Sequence, residues 1–98
     1  MKFEHYAINV EDAVAVADWY TENCGLTAVV ALTELPFTRF LADETGRVFL
    51  EIYSIPTAPM PDYATMNHLQ YHMAFETTDA EAEKDRLMAV GCTFVEEL

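Results

Sequence analysis

The sequence predicts an α+β fold of paired βαβββ modules forming a mixed sheet, with the second module incomplete in the 98 residues. Three observations carry that prediction. The chain repeats itself at an offset of 67, where His5–Asp18 lies on His72–Asp85 with His5/His72, Ala7/Ala74, Asp12/Asp79, Ala13/Ala80, Ala15/Ala82 and Asp18/Asp85 identical. Each copy opens on a segment that alternates apolar and polar residues, the period of a half-buried strand. Each then changes to helical spacing and stops at a glycine, Gly25 or Gly91.

In the first copy, Phe3–Val10 is the opening strand. Tyr6, Ile8 and Val10 take one face, and Phe3, His5, Ala7 and Asn9 the other. Asp12 is the expected N-cap of a helix that carries Ala13, Val16, Ala17, Tyr20 and Cys24 on one side, and Gly25 closes it. Thr27–Thr33 is β-branched and apolar. Phe37–Ala42 and Arg47–Ile55 flank Asp43-Glu44-Thr45-Gly46, a hairpin-turn sequence. Residues 1–54 thus form the first module. Residues 55–67 hold Pro56, Pro59 and Pro61 and read as a linker, because proline cannot donate to a sheet ladder. Residues 68–98 begin the second module. There Leu69, Tyr71, Met73 and Phe75 alternate with Gln70, His72, Ala74 and Glu76, and Thr78-x-x-Glu81 is a capping-box pattern. Thr93–Leu98 would be its next strand. Tyr6→Ala and Phe75→Ala, on the helix-facing sides, are expected to cost about 3–5 kcal/mol as core truncations.

Composition narrows the function. Seventeen Asp and Glu against five Lys and Arg give a net charge of −12, which repels phosphate backbones, so nucleic acid is not an expected partner. No apolar run approaches the roughly 20 residues that span a bilayer, and the start has no apolar leader, so no membrane association is expected. Two cysteines, Cys24 and Cys92, neither in a CxxC pair, are too few for a disulfide scaffold, suit a reduced cytoplasm and read as small hydrophobes.

The informative polar residues are those on the faces turned away from the helices. His5 and His72 hold equivalent places in the two copies. Glu51 sits between Phe49 and Tyr53, opposite the Val48, Leu50 and Ile52 row, and a carboxylate in such surroundings needs a cation or a proton. Two readings stay open on the residues alone. One is a metal site, since imidazole and carboxylate suit Zn, Fe, Ni or Mn. The other is a pair of hydrogen-bonded strand histidines with a solvated glutamate.

At these residues the sequence resembles the vicinal oxygen chelate superfamily, which gathers glyoxalase I, bleomycin-resistance proteins and extradiol dioxygenases. The resemblance lies in Glu4-His5-Tyr6-Ala7-Ile8-Asn9-Val10-Glu11-Asp12, in Trp19-Tyr20 with Cys24-Gly25-Leu26, in Val48-Phe49-Leu50-Glu51-Ile52-Tyr53, and in Tyr71-His72-Met73-Ala74-Phe75 followed by Asp79 and Gly91. It implies that the modules close a cupped sheet around one site. There His5, Glu51 and His72 would be three of four ligands to a divalent ion (Zn, Ni, Mn or Fe). The fourth, a carboxylate that would also shuttle the proton, would lie on a later strand outside this sequence, which leaves the catalytic residue unassigned. Phe49, Tyr53, Thr38 and Phe40 are the substrate-pocket candidates. The leading expectation is a metal-dependent lyase or isomerase of glyoxalase type that stabilises an enediolate of a small substrate with vicinal oxygens. The alternative is a metal-free, drug-sequestering binding protein. An extradiol dioxygenase ranks lower, because that pattern takes its carboxylate from the second module. A homodimer is expected, formed through an unpaired edge at Thr93–Leu98.

Overall fold

The computed structural model describes residues 1–97. Its elements are β1 (Tyr6–Asn9), α1 (Ala13–Asn23), β2 (Thr27–Ala31), β3 (Arg39–Ala42), β4 (Val48–Tyr53) and α2 (Ala80–Ala89). The chain divides into two compact units, Met1–Met66 and Asn67–Leu98. No helix among the described residues is long and apolar enough to cross a membrane.

The first unit is the expected βαβββ module, an α+β arrangement with a four-stranded mixed sheet in the order β1-β4-β3-β2. β1 runs parallel to β4, with Tyr6 opposite Leu50, Ala7 opposite Glu51 and Ile8 opposite Ile52. β3 runs antiparallel to both β4 and β2. All four strands fall inside their predicted segments but are shorter. β1 starts at Tyr6 rather than Phe3 because the Phe3 carbonyl accepts from the Arg47 guanidinium, 2.5 Å away, instead of joining the ladder. The β3–β4 hairpin turns at Asp43–Gly46, where Gly46 adopts φ +84° and its N–H bonds the Asp43 carbonyl at 3.0 Å.

The alternation in β4 decides the core. Leu50 and Ile52 are fully buried, while Phe49, Glu51 and Tyr53 are half-buried on the opposite face. With Leu41 they form the centre under α1, which presents the small residues Ala13 and Ala17 to the sheet and so lies close to it. The start of α1 is held twice. Asp12 Oδ1 accepts from Ala15 N at 3.0 Å, as its sequence position predicts. Ser54 Oγ, just past β4, accepts from the buried Ala13 N at 2.8 Å. Asn9 ties the following chain to β1: its side chain bonds both Ile55 N (2.8 Å) and Ile55 O (3.1 Å).

The second unit departs from the sequence expectation in three places. Leu69–Glu76 is not a strand. A strand needs a ladder partner, and here the start of the segment turns locally instead: Leu69 N donates to Asn67 Oδ1 at 2.8 Å and Gln70 N to the Asn67 carbonyl at 2.9 Å. Thr93–Glu97 is not a strand either, so the dimer edge expected at Thr93–Leu98 is absent over Thr93–Glu97; Leu98 lies outside the described residues. The helix is capped by Asp79 rather than Thr78. Asp79 Oδ1 accepts from Ala82 N at 3.0 Å, the same bond at the same repeat positions as Asp12 and Ala15. Gly25 and Gly91 likewise share a positive φ, +67° and +106°. α2 buries none of its residues and is laced instead by Glu81–Lys84 and Glu83–Arg86 pairs. Phe75, expected in a core, is 47% exposed.

Candidate functional site

Glu51 is presented by the middle of β4, flanked by Ala7 of β1 and Phe40 of β3 at the same level of the sheet. His5 stands immediately before β1, two residues ahead of Ala7. The two side chains meet: His5 Nε2 is 3.3 Å from Glu51 Oε1. Both are about three-quarters buried, with side-chain exposures of 25% and 22%. The Phe40 ring meets the imidazole edge-on at 5.5 Å between centroids and 79° between planes. An ion pair walled by an aromatic ring is less screened by water than one on the open surface.

The other imidazole nitrogen, Nδ1, lies 3.0 Å from Glu4 Oε1, within ion-pair range but outside hydrogen-bond direction. Glu4 and then Glu51 favour the protonated ring and hold the His5 pKa above its ordinary value of 6.5, against an opposing effect of partial burial. Nothing in the sequence pattern pointed to Glu4. Strict alternation would send it to the opposite face from His5, but β1 begins only at Tyr6, and ahead of it the chain is not bound to the pleat.

Of the three ligand candidates, the structure brings His5 and Glu51 together. His72 belongs to the second unit, where its Nδ1 lies 3.0 Å from the His68 carbonyl. His68 itself pairs with Glu96 at 2.5 Å. Among the described residues no group of three or more His, Cys, Asp or Glu is gathered to hold a metal ion. The donor chemistry of the His5–Glu51 pair nevertheless fits one. Two donors each about 2.0–2.2 Å from a tetrahedral zinc lie about 3.4 Å apart, close to the 3.3 Å between Nε2 and Oε1. A carboxylate behind Nδ1, as Glu4 provides, is the usual partner of a metal-binding imidazole.

Phe40 touches His5. Phe49 and Tyr53 share the Glu51 face of β4 by alternation and are half-buried. Thr38, just before β3, is 9% exposed, and its carbonyl accepts from Leu32 N at 3.0 Å.

The βαβββ module buries its aliphatic face under one helix and keeps a histidine–glutamate pair on the other. The family model described as Glyoxalase/Bleomycin resistance protein/Dioxygenase superfamily matches residues 2–98, and the chain belongs to that superfamily. No curated protein and no solved structure gives a significant match.

Proposed function

We propose that this chain acts as a metal-dependent lyase or isomerase of glyoxalase type on a small substrate with vicinal oxygens. The observation that carries this reading is the His5–Glu51 pair, 3.3 Å apart on the helix-free face. His5 Nε2 and Glu51 Oε1 are the proposed metal donors. His72 is proposed as the third, on the strength of its match to His5 in the sequence repeat. When bound, a divalent ion would polarise two adjacent substrate oxygens and stabilise the enediolate left by deprotonation of a neighbouring C–H. The protein's own part is to hold the imidazole ring, with Glu4 behind Nδ1, and to wall one side of the pair with Phe40. Members of the superfamily commonly dimerise, and a homodimer in the cytoplasm belongs to the same reading.

The second reading is a metal-free binding protein of bleomycin-resistance type. It is favoured by the ion pair itself, in which His5 and Glu51 each already have a partner of opposite charge.

Metal content separates the two. Protein purified without chelators is analysed for Zn, Ni, Mn and Fe, and the apo chain is titrated with each by calorimetry. The enzyme reading expects tight binding of one ion, weakened about tenfold by Glu4→Gln and much more by His5→Ala, Glu51→Gln or His72→Ala. A wild-type chain that binds none of the four ions, with a melting temperature unmoved by them, overturns it in favour of the binding protein.

A further inference from the structure

Of the five Lys and Arg side chains in the chain, three are already engaged. Lys84 pairs with Glu81 and Glu97, and Arg86 with Glu83. Arg39 Nη1 donates to the carbonyls of Leu32, Phe37 and Thr38. That leaves Lys2 and Arg47. Among the described residues no carboxylate lies within ion-pair range of either, although the chain holds seventeen Asp and Glu. The Asp43 carboxylate, at the turn just before Arg47, is taken by the Thr45 N–H at 2.9 Å and the Thr45 hydroxyl at 2.5 Å.

The two remaining cations share one hollow. β1 runs parallel to β4 with Tyr6 opposite Leu50, and the same register carried three residues back sets Phe3 beside Arg47. There the Arg47 guanidinium donates from Nη2 to the Phe3 carbonyl. The bond pins the guanidinium and leaves its other N–H donors to a ligand. The hollow lies where β1 and β4 start and is lined by Lys2, Phe3, Glu4, Arg47 and Val48. Its volume is about 750 Å³, within the roughly 300–1,000 Å³ of small-molecule sites. Phe3, 63% exposed, and Val48 are its apolar members. Lys2 and Arg47 against Glu4 leave the hollow one net positive charge in a chain of net charge −12. Glu4 does not cancel either cation, because its carboxylate lies at His5 Nδ1, 3.0 Å away.

We propose that this hollow binds a small organic monocarboxylate with an apolar body, its carboxylate held by Arg47 and Lys2 and its body against Phe3. The guanidinium fork matches a carboxylate and accepts it through two parallel hydrogen bonds. A second negative charge on the ligand would meet Glu4 and the acidic chain, so dicarboxylates and phosphate dianions are disfavoured. An apolar body is needed because exposed charge pairs alone contribute little. Neither His5 nor Glu51 lines the hollow, so the proposal stands independently of the metal chemistry.

The test is a titration of the full, metal-free chain with sodium benzoate at low ionic strength, where exposed charges are least screened, read by backbone amide NMR shifts. Benzoate is expected to saturate with a Kd of about 1 mM and to shift Phe3, Glu4, Arg47 and Val48 most. Benzamide has the same shape without the charge and should bind about tenfold more weakly. Phthalate, with a second carboxylate, should also bind more weakly than benzoate. Lys2→Gln should weaken benzoate about fivefold with the fold intact, since Lys2 has no partner to lose. Arg47→Gln should weaken it about tenfold or more. Arg86→Gln removes the same charge from α2 and should leave the affinity within about twofold. A wild type that shows no saturation, benzamide or phthalate bound as tightly as benzoate, or shifts centred on other residues overturns the proposal. So does Arg86→Gln weakening benzoate as much as Lys2→Gln, which would make the effect one of total charge.

Discussion

Ser54→Ala tests how the module holds its helix over the sheet. Ser54 is 6% exposed, and its hydroxyl oxygen accepts from Ala13 N at 2.8 Å; Ala13 is itself 1% exposed. Removing the hydroxyl leaves an amide with no acceptor and no access to water. That costs about 1–3 kcal/mol, the desolvation penalty of an orphaned buried donor. Asp12→Ala removes the other cap of the same helix, a 3.0 Å bond to Ala15 N, but that bond is exposed and water replaces the carboxylate. Its cost is about 0.5–1 kcal/mol. The expected order is therefore Ser54→Ala worse than Asp12→Ala, although only Asp12 looks like a cap in the sequence. Urea unfolding followed at 222 nm reads both, with the slope against denaturant unchanged. If Asp12→Ala costs as much as Ser54→Ala or more, burial is not what sets the value of these bonds and the reasoning fails.

The His5 imidazole should titrate above 6.5, seen as the pH midpoint of its ring-proton NMR shift. Glu4→Gln should lower that midpoint most and Glu51→Gln should lower it less. Because the folded pKa is raised, the stability His5 contributes is complete below 6.5 and is lost as pH rises through the folded value; a midpoint at or below 6.5 in the metal-free protein would refute this. Leu50→Ala, at a site with no exposure, should cost about 2–5 kcal/mol in the same urea assay, whereas Phe75→Ala, at 47% exposure, should cost well under half of that. Equal costs would mean that Phe75 is buried in solution.

Much of the candidate site was legible in order along the chain. Alternation in Val48–Tyr53 put Glu51 opposite the aliphatic row, and alternation over the predicted Phe3–Val10 put His5 with Ala7, which the register sets against Glu51. Glu4 was not legible, because it precedes the first residue bound into the sheet and no period governs it. Ser54 was not legible either, since a cap supplied from 41 residues away leaves no local trace.

The sequence by itself determined the local structure of both copies. The Asp12 and Asp79 caps and the positive φ of Gly25 and Gly91 depend only on near neighbours, and they recur at the repeat spacing. Tertiary structure alone decided which alternating segments became strands. Phe3–Val10 and Leu69–Glu76 carry the same period, yet only the first has a β4 to pair with. The second, without a ladder partner among the described residues, turns at its start, where Leu69 N donates to Asn67 Oδ1 and Gln70 N to the Asn67 carbonyl. Alternation states which face a strand would show; the hydrogen bonds that make it a strand come from a neighbour that the segment does not encode.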